Sequence, residues 1–132
     1  MNKQRKQRLS NLYNEMGMIS STLEDEDFVE KGHVDDVLSE LQTVKDKLAE
    51  VLSEEEWAFD SRSEGSQASW SGQISEDAID AMYDTQDHLD EVEESLIKLK
   101  TLKETEEKAE EIQNAVNAME EACDSLSEID FY

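Results

Sequence analysis

Proline is absent from this chain, and glycine stands only at positions 17, 32, 65 and 72. Proline removes a helical hydrogen bond and glycine costs about 1 kcal/mol in a helix interior, so little here stops a helix once it has begun. The apolar residues follow that freedom. Leu9, Leu12, Met16, Ile19 and Leu23 recur at alternating steps of three and four, the spacing of one helical face, and predict a helix over 2–23 with Gly17 as a local weakness. The stretch 24–33 breaks the pattern, and Gly32 reads as a stop. Val37, Leu38, Leu41, Val44, Leu48, Val51 and Leu52 then restore helical spacing and predict a helix over 34–59.

Residues 60–74, DSRSEGSQASWSGQI, hold two of the four glycines and five serines, a composition that suits an exposed connection. Ser75 reads as the N-cap of the next helix, with Glu76 and Asp77 in a first turn where the helix dipole favours acids. Its seam is Ile79, Met82, Leu89, Val92, Leu96 and Leu99. After a turn without apolar residues around Thr105 and Glu106 come Ala109, Ile112, Val116, Met119, Cys123 and Leu126. No Gly, Asn or Pro marks a break, which favours one helix over 75–129, about 80 Å long. Thr101 with Glu104 offers a capping box that would instead divide it. The expected fold is all-α: one domain over 1–132, an elongated bundle or antiparallel coiled coil of three long helices, or four if broken near 101–106.

Two internal similarities accompany this pattern. AIDAMYDTQDHLDE at 78–91 matches AVNAMEEACDSLSE at 115–128, and VDDVLSELQTVKD at 34–46 tracks VEESLIKLKTLKE at 92–104. A duplicated helical unit explains them, and so does the common look of amphipathic acidic helices.

Thirty-five Asp and Glu against twelve Lys and Arg give a formal charge of -23. A surface that negative repels nucleic acid and anionic membranes and suits a basic protein partner. The first eight residues run the other way, with Lys3, Arg5, Lys6 and Arg8 and no acid. They are suited either to nucleic acid or to pairing with acidic helices of the same or a second chain. No stretch is apolar enough for a signal sequence or a membrane span. Single Cys123 falls in step with apolar neighbours, as a small core residue of a reducing cytoplasm does.

The usual signatures of chemistry are missing. Asp84 and His88 are four apart on one face, but two ligands do not complete a metal site, so no metal or other cofactor is expected. A calcium loop over 60–71 fails because Arg62 and Ser71 stand where acidic ligands belong. There is no phosphate loop, nucleophile elbow or Cys-His set, and the chain reads as a non-enzyme.

What does have shape is the segment from Glu76 to Glu94, where nine acids occur without a base. At about 100° per residue, Asp77, Asp80, Asp84, Asp87, Glu91 and Glu94 form one stripe roughly opposite Met82, Leu89 and Leu96. The stripe is either a solvated face or a phosphate mimic, with carboxylates every ~5 Å against a nucleotide rise of ~3.4 Å. Trp57, Phe59 and Trp70 bracket the serine-rich connection and serve either to pack it onto the helix ends or to anchor a partner.

Residues 54–82, EEEWAFDSRSEGSQASWSGQISEDAIDAM, resemble small acidic helical proteins of phages and mobile elements in Gram-positive bacteria, in which an EEEEAFDNLPEGLQ-like segment leads into an EEAIDxLEEAID-like helix. Glu54 to Glu56, Ala58, Phe59, Asp60, Glu64, Gly65, Gln67 and Ser75 through Met82 carry the correspondence. This chain lacks the proline of that connection, carries Trp57 and Trp70, and adds helical segments at both ends. Those proteins have no assigned activity. The resemblance implies a mobile-element origin and a helix-loop-helix core, and it favours an inhibitor of host defence acting as a nucleic-acid decoy in the bacterial cytoplasm. The competing expectation is a self-associating coiled-coil scaffold or adaptor that joins copies through the 34–52 seam. A third is a regulator whose basic head touches DNA.

Overall fold

The computed structural model describes residues 2–25, 28, 33–102 and 105–129, with only the backbone of residue 105. It is all-helical: α1 (Lys3–Leu23), α2 (Val34–Asp60), a short α3 (Glu64–Gln67), α4 (Trp70–Leu99) and α5 (Thr105–Ser127). Among the described residues, no helix is long and apolar enough to cross a membrane.

The four long helices form a ring in the order α1, α2, α4, α5, each packed against two neighbours, with the α4 and α5 pair in the most extensive contact. Neighbours run antiparallel. Arg8 reaches Glu54 while Glu15 meets Lys47, and Asp35 pairs with Lys100 at one end of the α2 and α4 pair while Glu55 meets Ser75 at the other.

The predicted seams are the core. Leu9, Leu12, Met16, Ile19 and Leu23 of α1 are buried, as are Val37, Leu41, Val44, Leu48, Val51 and Leu52 of α2, with Leu38 packed partly against them. Met82, Leu89, Val92, Leu96 and Leu99 of α4 are buried as expected, and Ile79 partly so. Each large aliphatic side chain removed from water contributes roughly 1.5–3 kcal/mol, enough to offset the like charges on the outer faces. Phe28, in a segment where the pattern fails, is also buried.

Three expectations are corrected. The first concerns 75–129, which is two helices: α4 ends at Leu99 and α5 begins at Thr105. At the end of α4 the Thr101 N–H donates to the Lys98 carbonyl at 2.9 Å, and the Thr101 hydroxyl donates to the same oxygen at 2.8 Å. Glu104, the other half of the expected capping box, lies outside the described residues, as does Gly32. Helix α4 ends before the apolar gap around Thr105 and Glu106, which forms the first turn of α5. Reversal there lets α5 bury Ala115, Val116, Ala118, Met119, Ala122 and Leu126 on its own chain, which a straight 80 Å helix leaves in water. The described residues therefore hold four long helices, the divided alternative.

The second correction concerns the connection 60–74, most of which is helical. Its serines act as caps: the Ser63 hydroxyl accepts from the Ser66 N–H, and the Ser69 hydroxyl from the Gly72 N–H, both at 3.2 Å. Helix α4 therefore starts at Trp70, and Ser75 is a buried residue inside it. Gln67 helps hold the corner, its amide donating to the carbonyls of Phe59 and Arg62.

The third is the face of α5. Ala115, Ala118 and Ala122 are buried, Ile112 and Cys123 only partly, and Ala109 is exposed. Ala78, Ala81, Met82, Thr85 and Leu89 of α4 and Ala115, Ala118, Met119, Ala122 and Leu126 of α5 are buried at matching positions of the two similar segments. Small residues on both sides let the two helix axes approach closely. Burial, with Asp124 and Glu120 adding, pushes the Cys123 thiol up to about 11, so it is a neutral thiol at physiological pH.

Candidate functional site

Eight of the nine acids of α4 fall into two groups. On the flank facing α2, Asp90 and Glu93 hold Lys45 at 2.6 and 2.7 Å. Burial alone depresses that ammonium, but the bonds to the two carboxylates more than reverse it and hold its pKa above the ordinary value. On the outer side, Asp77, Asp80, Asp84, Asp87, Glu91 and Glu94 are all exposed. Among the described residues, only Glu91 of these six lies beside a basic side chain, the imidazole of His88, with Nδ1 at 3.7 Å. The structure thus brings the six together as one exposed acidic line about 25 Å long.

The aromatic candidates separate. Trp70 is 82% exposed at the start of α4, one heptad before Asp77 and two before Asp84, so its indole heads the acidic line. It also lines a groove of about 430 Å³ with Lys6, Ile74, Asp77 and Ile129. Trp57 is 73% exposed on α2, while Phe59 is half-buried. Next to Trp57, Glu56 accepts a hydrogen bond from the exposed Tyr83 hydroxyl, which raises the pKa of that phenol. Neither indole packs the connection onto the helix ends.

Both arginines of the basic head are engaged by α2. Arg8 binds Glu54 at 2.5 Å and lies 3.6 Å from Glu50, and Arg5 donates from Nε to Glu55 at 2.7 Å. Glu55 is 1% exposed and takes a second bond, also 2.7 Å, from the Ser75 hydroxyl. Burial acts to raise the pKa of Glu55, but the Ser75 and Arg5 bonds outweigh it and hold the carboxyl below its ordinary range.

Sequence reading missed this cluster, although the signal was present. Arg5 lies four residues before Leu9, Glu55 seven after Leu48, and Ser75 seven before Met82, so each continues a seam with a polar residue. A second omission involves His88. Its partner is not Asp84 but Glu91 on the same helix and Glu121 on α5. No family model matches the chain, and no curated protein or solved structure matches it either.

Proposed function

We propose that the chain is a non-enzymatic, mobile-element-encoded inhibitor whose α4 face, from Trp70 to Glu94, imitates a nucleic-acid strand and occupies the basic groove of a host defence or nucleic-acid-handling protein. The supporting observation is the division of the α4 acids: Asp90 and Glu93 on the flank facing α2 are paired with Lys45, and among the described residues five of the six on the outer line have no basic side chain beside them. Like charges three and four apart cost a helix a few tenths of a kcal/mol per pair, a cost recovered when a cationic surface meets them. Trp70, exposed at the head of the line, supplies an apolar anchor. The alternative, a self-associating coiled-coil scaffold, has less support because Val37, Leu41, Val44, Leu48 and Val51 are already covered by the chain's own helices. A regulator with a DNA-binding head has less support too, since Arg5 and Arg8 are engaged by α2.

The test is capture of host proteins by the tagged chain at low and high salt with nuclease treatment, followed by competition of the captured protein against duplex DNA and RNA. Wild type is expected to compete at low salt and to weaken steeply as salt rises. Asp80→Lys, Asp84→Lys and Asp87→Lys together should abolish competition while the helical circular dichroism stays unchanged. Trp70→Ala should weaken it by about tenfold or more, as loss of an interface anchor does. Undiminished competition by the triple variant overturns the reading. A stable homo-oligomer insensitive to it favours the scaffold.

A further inference from the structure

We propose that His88, Glu91 and Glu121 form a binding site for a borderline divalent metal ion of the Zn²⁺ and Co²⁺ type, fastening α5 to α4. The imidazole Nδ1 is buried and makes no hydrogen bond, although the ring as a whole is 27% exposed. Glu121 Oε2 lies 3.2 Å from it and Glu91 Oε2 3.7 Å, and the three ligand atoms all lie within 4.8 Å of one another. Zinc bonds to nitrogen and carboxylate oxygen are about 2.0–2.2 Å, which puts donors on a tetrahedron roughly 3.3–3.5 Å apart. The His88 donor is thus already near coordination spacing from both carboxylates, and side-chain rotation of the two exposed glutamates brings their oxygens to the remaining corners.

The chemistry agrees with the geometry. Two carboxylates whose oxygens lie within 4.8 Å of one another repel, and a dication between them turns the repulsion into bonding. An imidazole donor selects Zn²⁺, Co²⁺ or Ni²⁺ over Mg²⁺ and Ca²⁺, which prefer all-oxygen sets. Both glutamates are exposed, so an ion has a path in and water can fill the remaining positions. The ligands come from two helices, unlike the Asp84 and His88 pair on a single face. Glu91 also stands on the acidic line, but His88 and Glu121 lie off it, so variants at those two test the metal site apart from the mimicry reading.

The experiment titrates the full chain with Co²⁺ and then Zn²⁺ in excess Mg²⁺, following cobalt absorption and the melting temperature. One equivalent of Co²⁺ is expected to develop a ligand-field band that Zn²⁺ displaces, and Zn²⁺ should raise the melting temperature. His88→Gln and Glu121→Gln should each lose the band and the Zn²⁺ shift while melting cooperatively without metal. Asp80→Asn, on the acidic line, should keep both. Equal uptake by wild type and His88→Gln means that carboxylates collect cations nonspecifically, and it overturns the site. So does the absence of a band from wild type.

Discussion

Glu55→Ala is expected to destabilise the fold by about 3 kcal/mol in urea unfolding, the low end of what breaking a buried ion pair costs. The low end applies because the Arg5 left behind is 14% exposed and regains some water. The hydroxyl of the fully buried Ser75 loses its acceptor at the same time. Replacing both charges, as Arg5→Met with Glu55→Leu, should recover most of the loss, since apolar side chains of similar volume extend the seams that end at these positions. A double variant as unstable as Glu55→Ala would refute this account. The pH dependence has a definite sign. The Glu55 carboxyl is held below its ordinary 4.5 in the folded state, so its stabilisation is complete above that value and is lost as pH falls through the lower folded pKa. The stability gap between wild type and Glu55→Gln should therefore stay constant from neutral pH to about pH 5 and close below it.

Gly72→Ala is expected to cost about 3 kcal/mol, the upper range of overpacking. A Cβ at Gly72 falls on the backbone carbonyl oxygens of Gln67 and Ser66, which have no flexible end to move aside. Gly17 supplies the contrast, because nothing lies within 4 Å of a Cβ there and the residue is inside α1. Gly17→Ala should stabilise the protein by roughly 0.5–1 kcal/mol through helix propensity alone. Opposite signs for one chemical change, read in the same unfolding assay, test whether close approach of α3 to α4 is what requires Gly72.

Much of the fold was legible because apolar periodicity is written residue by residue. The seams of α1 and α2 could be read almost to their ends, since each large side chain there has one face to choose. Reading failed where position, not composition, decides. Ser63 and Ser69 look like loop residues and are caps; Ser75 looks like a cap and is core. Nothing local distinguishes these, because a serine hydroxyl serves whichever neighbour the chain path supplies. The break after Leu99 carries no Gly or Pro, and its cause is the surface that α5 buries far from the turn. The acidic line was visible as a helical stripe, but which acids would be neutralised depended on Lys45, far away in sequence. Glu121 was unreadable as a neighbour of His88 for the same reason.

The reversal after α4 also bears on how the chain reaches its fold. Its largest interface joins two helices separated by a very short stretch of chain, so little loop entropy is lost in closing that hairpin. The Arg5 and Glu55 contact links residues fifty positions apart and closes later. Substitutions in the alanine face shared by α4 and α5, such as Ala118→Gly, should slow refolding in stopped-flow experiments. Those at Glu55 should chiefly speed unfolding; the reverse pattern would place the docking of α1 first.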